Sequence, residues 1–270
     1  VEAWTLFARA LRLIADNLDV ALRLSVLPYG LAAAAQLLTL ALGGGAAPLD
    51  PAVLELPPPE GGADPAFEMM VDPRVVWTSI LSGVLFLIAL LWVAVGWHRF
   101  ALLGEVPEGW VPPFDGARVL GYLGRSVLLA LLVAVVTVGV SVPLGLVGLP
   151  LGAAGAALTG GAALVLAMVL FYRLSVVLPA AAAGRPIGMR DAWSATQGHS
   201  GTAVGLALLT FGLSLLLQLP TALDAMLGVA GPVVTAVYQI AVGWIGLMVG
   251  VAVLTVFYVR TVGPEGGADG

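Results

Sequence analysis

Ser200 stands in the string Gly198-His199-Ser200-Gly201, small residues around a hydroxyl of the kind a serine nucleophile uses. Such a nucleophile needs a base within hydrogen-bond reach to take its proton. His199 is its neighbour in sequence, which on a helix places it about 100° round the axis, a poor position for that base. The remaining histidine is His98, at the end of a long apolar stretch, and the string reads better as a helix start rich in small residues. His98 with Glu105 and Glu108, and His199 with Asp191, bring together metal-ligating types. Neither set has a ligand spacing or a third strong ligand nearby. With no cysteine in the chain, thiolate catalysis, cysteine metal sites and disulfides are excluded. The expectation is a protein with no catalytic residue, no metal and no cofactor.

Charge is the next place to look for chemistry. Asp50, Glu55, Glu60, Asp64, Glu68 and Asp72 lie between positions 43 and 74 against a single Arg74, while the rest of the chain is neutral. These acids are scattered among Pro and Gly without the alternate-residue density of a calcium loop, so 43–74 reads as a solvated acidic loop. The net charge of −5 therefore reports one loop and implies no nucleic-acid partner. All eleven basic residues are arginine. Guanidinium groups bind phosphate in a bidentate fork, which makes Arg9, Arg12, Arg99, Arg118, Arg125, Arg173 and Arg190, with Tyr172 and Trp193 beside them, the candidate lipid-binding, partner-binding or cavity residues. The partners they imply are anionic headgroups, and beyond them a protein partner or a second copy.

The elements that position these side chains follow from composition. The chain is 60 % hydrophobic and 10 % charged, with mean hydropathy +1.05, whereas soluble domains carry about 25 % charged residues. It belongs in a bilayer. Six stretches reach the roughly 20 apolar residues a span requires: 20–42, 75–97, 126–147, 155–178, 202–220 and 233–258. The first is too long to be a cleaved signal peptide. Six spans put both termini on one side, and that side collects Arg9, Arg12, Arg23, Arg99, Arg118, Arg125, Arg173, Arg185, Arg190 and Arg260, against Arg74 on the other. Positive flanks stay cytoplasmic, so both termini are expected in the cytoplasm and the acidic loop outside. Residues 1–262 form one transmembrane domain, followed by a disordered tail, 263–270.

Trp4, Phe7, Leu11, Ile14 and Leu18 recur at helical spacing, opposite Thr5, Arg9, Arg12, Asp16 and Asp19. That pattern predicts an interfacial helix over 3–19 lying on the membrane. Weaker copies occupy 114–125, where Arg118, Tyr122 and Arg125 share a face and Val119, Leu120 and Leu123 face away, and 188–198, where Arg190, Ser194 and Gln197 oppose Met189, Ala192 and Trp193. The returning spans share an ending: Trp97-His98-Arg99, Phe171-Tyr172-Arg173, and Phe257-Tyr258 before Arg260. A threefold repeat of amphipathic helix, span out and span back is one reading of this. Low identity between the units leaves plain hairpins as the other. Pro28, Pro143 and Pro220 fall in the outward spans without a buried carboxylate, which speaks against ion-coupled transport. Gly201 with Gly205, and Gly246 with Gly250, are small pairs that serve close helix packing or homodimerisation.

Phe171-Tyr172-Arg173-Leu174, Leu178-Pro179-Ala180, Gly184-Arg185-Pro186 and Asp191-Ala192-Trp193-Ser194-Ala195-Thr196 form a succession that resembles the six-span YciC-like bacterial inner-membrane proteins and the membrane-anchor domain of glycerophosphodiester phosphodiesterases. The resemblance covers the layout of the chain and about 25 residues of motif. It implies a bacterial inner-membrane location and a theme of envelope lipid homeostasis. The catalytic phosphodiesterase domain is absent, since His98-Arg99 lacks the following glycine and the metal-binding acids, so no hydrolase activity carries over. Over its four residues the Gly198–Gly201 string is also similar to the one rhomboid intramembrane proteases place around their serine.

The sequence thus predicts an all-α polytopic membrane bundle of six transmembrane helices, with cytoplasmic amphipathic helices before the odd spans. Its expected role is non-enzymatic, interacting with lipid or a protein partner in envelope maintenance. A permease for a small or amphipathic solute and an intramembrane hydrolase are the competing functions. Arg173 has most at stake, because apolar or small residues run from Leu174 to Ala183 behind it. Either Pro179 breaks the helix so that 174–183 lie flat at the interface, or Arg173 faces an internal polar cavity where Tyr172 and Ser175 supply neighbouring groups.

Overall fold

The computed structural model describes residues 2–42, 73–228 and 231–263. The acidic segment 43–72 and the tail 264–270 fall outside the described residues. The described chain is helical, with no strand among those residues. Helix α1 (Glu2–Asp16) ends at Asn17, and α2 (Leu18–Leu42) follows at once. Helix α3 (Pro73–Leu103) is stopped by Gly104 at φ +71°, a conformation that costs glycine little, with the Gly104 N–H bonded to the Phe100 carbonyl at 2.9 Å. Asp115 caps α4 (Gly116–Gly148), its carboxylate accepting the Arg118 N–H at 3.1 Å. A single 3₁₀ turn, Leu149–Leu151, leads into α5 (Gly152–Ser175), and α6 (Val177–Ala182) and α7 (Met189–Ala195) are short. The long helices α8 (Ser200–Leu227) and α9 (Pro232–Thr261) complete the fold.

Among the described residues five stretches are long and apolar enough to cross a membrane: Leu18–Thr39, Val76–Leu103, Gly116–Ala182, Ser200–Leu227 and Val233–Thr261. The third has 67 residues. At 1.5 Å per residue a straight helix of that length would run about 100 Å, against a hydrocarbon core of about 30 Å. It does not run straight: α5 turns back at Leu149–Leu151 and packs along α4. At the turn Gly155 lies so close to the Gly148 carbonyl that a methyl group there would collide with backbone.

Helix α2 packs along α3, α8 against α5 and α9, and α1 across α8 and α9. The buried core gathers at the end of the molecule where α1 docks, around Trp97, Leu129, Leu206, Met248 and Phe257. Toward the other end the helices present bare apolar surface, as at Trp77 (68 % exposed) and Val147 (76 %). Water does not tolerate so much contiguous apolar surface, whereas lipid tails cover it at no cost.

Two local expectations are corrected. The segment 114–125 is not a separate helix, because α4 runs without interruption from Gly116 into the apolar stretch. Its faces also differ from the pattern read in sequence: Val119 and Tyr122 are both buried, and Leu120 is exposed. Three residues apart, Val119 and Tyr122 share a face and meet the core, while Leu120 turns outward. Helix α1, expected over 3–19, closes earlier, at Asp16. It buries Leu6, Phe7 and Ala10 against protein and leaves Trp4 and Leu11 of the expected apolar face exposed, while Leu18, also exposed, falls at the start of α2.

Candidate functional site

The arginines build the candidate site. Helix α3 places Arg74 and Arg99 at opposite ends, 25 residues or about 37 Å apart at helical rise. Arg99 lies at the same end of the molecule as α1, the start of α4, α7 and the end of α9, and these carry Arg9, Arg12, Arg118, Arg125, Arg190 and Arg260. Arg9, Arg12 and Arg190 are exposed there, and Arg118 and Arg125 half-buried. Arg125 donates from Nη1 to the Gly121 carbonyl at 3.2 Å on its own helix.

Arg99 and Arg118 face one cavity of about 200 Å³ between α2, α3, the start of α4 and the 104–115 connection. Arg99 donates from Nε to Glu105 at 2.7 Å and from Nη2 to the other oxygen of the same carboxylate, a bidentate pair, and from Nη1 to the Ala182 carbonyl at 3.1 Å. Arg118 pairs through Nε with Asp115. The Arg118 backbone N–H and then its side chain hold the Asp115 carboxyl below its ordinary range. Trp92 walls the cavity, its Nε1–H donating to the Pro113 carbonyl at 3.2 Å and its ring meeting Phe114 edge-on at 5.0 Å. In the sequence Glu105 was weighed only as a metal ligand beside His98, and Asp115 was not singled out. Their signals are short-range: an acid one residue past the glycine that closes α3, and an acid three residues before an arginine at a helix start.

Arg173 is buried, with 7 % of its surface exposed. Its guanidinium stacks on Trp193 of α7 with its carbon 3.5 Å from the ring centroid, donates from Nη2 to the Trp193 carbonyl at 2.8 Å, and from Nε to Thr196 Oγ1 at 3.3 Å. The neighbours expected from sequence are turned elsewhere. The Tyr172 hydroxyl bonds Thr210 Oγ1 at 2.7 Å, and Ser175 Oγ donates to the Tyr172 carbonyl at 3.0 Å. The helix does break here, at Val176 between α5 and α6. Pro179 has no N–H to bond the Ser175 carbonyl, so the helix cannot continue regularly through it. Yet α6 does not lie flat at an interface. Its Val177, Leu178, Pro179, Ala180 and Ala182 are buried in the core.

His98 is fully buried and joins three helices. Thr255 Oγ1 donates its proton to the Val251 carbonyl at 2.8 Å, so it accepts from His98 Nδ1–H at 2.8 Å; Nε2 then accepts from the Tyr122 hydroxyl at 3.3 Å. These donors and acceptors close for a neutral imidazole. With both ring nitrogens engaged in this chain, His98 is not a base for Ser200. His199, at the N-cap of α8, has a buried Nδ1 with no hydrogen-bond partner. Among the described residues no cluster of three metal-ligating side chains occurs.

Glu2 ties α1 to the ends of α8 and α9, accepting from Thr202 Oγ1 at 2.8 Å and from Arg260 Nε at 3.0 Å. Those contacts, Thr202 first, hold its carboxyl below the ordinary range against a smaller opposing effect of burial. Of the small pairs, Gly205 meets Ala3 of α1 at a distance that leaves no room for a side chain, whereas Gly201, Gly246 and Gly250 face open space.

Comparison with known proteins adds no relative: no family model, curated protein or solved structure matches this chain.

Proposed function

We propose that this chain is a six-span bacterial inner-membrane protein, both termini cytoplasmic, that works without catalysis by engaging membrane lipid at its arginine-bearing end. The observation that carries the reading is the segregation along the helices: the arginines other than Arg74 gather where the core is densest, and bare apolar surface occupies the far end. In a bilayer the apolar end is solvated by acyl chains, and the basic end sits where phosphates are. The α4–α5 turn at Leu149–Leu151 makes the 67-residue apolar stretch a hairpin and supplies the sixth span. Trp4 and Leu11, seven apart and exposed, give α1 a strip that rests at headgroup level as an amphipathic element, and Leu18 continues it at the start of α2. The motif resemblance to the YciC-like proteins favours the same role in membrane-lipid homeostasis.

The test is the lipid that stays with the protein. Full-length protein extracted in mild detergent should retain anionic phospholipid above its share of the source membrane, and Arg9→Gln with Arg12→Gln should lower that enrichment. Retained lipid with the composition of the bulk membrane, unchanged by the substitutions, would overturn the reading.

A further inference from the structure

The cavity between α2, α3 and α4 carries acids that a simple anion site does not need. Arg99 and Arg118 line it, and so do Glu105 and Asp115, each carboxylate already bonded to one of the two guanidiniums. The walls therefore hold two positive and two negative groups and sum to zero. A purely anionic guest gains two arginines and meets two carboxylates; at these separations like charges repel about as strongly as unlike ones attract. A guest carrying both signs, with a phosphate for the guanidiniums and an ammonium for the carboxylates, meets complementary groups throughout.

Arg99 is positioned in advance for this. Its Nη1 is pinned by the Ala182 carbonyl and its side chain is 17 % exposed, so little freedom is lost when it takes a phosphate oxygen. Beyond its Nε bond, Arg118 has both Nη groups to offer a phosphate. The volume, about 200 Å³, lies below the roughly 300–1,000 Å³ of pockets that enclose a whole drug-sized ligand. It suits a headgroup whose remainder stays outside. Leu24 and Trp92 give apolar wall, and the connection that closes the cavity exposes Trp110 (60 %) and Phe114 (53 %), amphipathic and apolar rings of the kind that sit at the membrane interface.

We propose that this cavity binds the phosphoethanolamine headgroup of a phospholipid, the phosphodiester against Arg99 and Arg118 and the primary ammonium against Glu105 and Asp115. The inference rests on the reading that this end of the molecule meets lipid. A primary ammonium has three N–H donors for the carboxylates, and a quaternary one has none. Phosphatidylethanolamine is therefore distinguished from phosphatidylcholine as well as from phosphatidylglycerol.

The experiment is native mass spectrometry of the full-length protein titrated with dioleoyl phosphatidylethanolamine, phosphatidylcholine or phosphatidylglycerol in the same detergent. At its tightest site the wild-type chain should hold the ethanolamine lipid about tenfold more tightly than either of the others, a difference of about 1.4 kcal/mol, with phosphatidylglycerol filling the weaker sites around Arg9 and Arg12 at higher concentration. Glu105→Gln with Asp115→Asn leaves the arginines unopposed and keeps a side-chain cap on α4, since Asn caps as well as Asp; its preference should move to phosphatidylglycerol. Equal retention of the ethanolamine and choline lipids, or an unchanged preference in the acid-to-amide variant, would overturn the proposal. Displacement by soluble O-phosphoethanolamine at the concentration at which the lipid itself competes would overturn the assignment to a lipid. The comparison between lipids on the unaltered protein does not depend on how any variant folds. Anionic enrichment that persists with no ethanolamine preference defeats this inference alone, whereas retention of no lipid class at all defeats the functional reading beneath it.

Discussion

His98 bonds across 157 residues to Thr255 and across 24 to Tyr122, so one imidazole joins α3, α4 and α9. Tyr122→Phe leaves Nε2 without a donor in a closed core and should cost about 1 kcal/mol of stability, the scale of interhelical hydrogen bonds in membranes. In a double-mutant cycle, Thr255→Val and Tyr122→Phe should fail to add, because both act through the same ring. Additive shifts in thermal unfolding in detergent would refute the shared chain. Arg173 poses a different problem, a buried cation held by an aromatic face and a carbonyl and not by a carboxylate. Lysine has neither the plane nor the fork, so Arg173→Lys should destabilise by about 2 kcal/mol, more than Arg99→Lys in its partly exposed pair. Equal losses would show that the stacking contributes nothing. In sequence His98 reads as a lone interface residue, and Arg173 shows only an unusual run of apolar neighbours. Their partners arrive from distant elements, which neither periodicity nor spacing reports. Pairs such as Asp115 with Arg118 lie within one turn of a helix start and were open to that kind of reading.

At the scale of elements, α1 is a latch across α8 and α9, and two independent devices hold it: the glycine groove at Gly205 and the Glu2 contacts to Thr202 and Arg260. Hydrogen exchange of α1 amides reads both. Gly205→Leu should strip protection from α1, while Gly201→Leu, which faces open space, should leave it unchanged. The Glu2 carboxyl is held below its ordinary value of 4.5. Its contribution is therefore complete above pH 4.5 and is lost as the pH falls through the lowered value. Protection of α1, corrected for intrinsic exchange, should drop in that acid window, and Glu2→Gln should abolish the pH dependence. A latch insensitive to both changes would be held by something else. The periodicity over 3–19 announced a helix with one apolar face and could not say what the face would meet. Phe7 went to protein and Trp4 and Leu11 stayed outside, because the seam through Leu6, Phe7 and Ala10 covers only part of so wide an arc.

Taken whole, the molecule separates its surfaces along the helices: charge and dense packing at one end, bare apolar helices at the other. The apolar stretches were legible in the sequence because twenty apolar residues in a row have few other uses. The α3 extension through Trp97-His98-Arg99 to Leu103, and the uninterrupted start of α4, were not. Polar residues inside a helix look like its end until their partners are known. The acidic segment 43–72, read as an outer loop, lies outside the described residues, so its side of the membrane must be measured directly. The absence of cysteine makes the chain its own background for that measurement. Single cysteines at Gly62, Pro150 and Met226, and at Gly109, Gly188 and Glu265, can be challenged in right-side-out and in inverted vesicles with a membrane-impermeant maleimide. The account predicts labelling from outside at the first three positions and from the cytoplasmic side at the second three, with the turn at Pro150 deciding whether the long apolar stretch crosses twice. Labelling of Pro150→Cys from the same side as Gly109→Cys would contradict it.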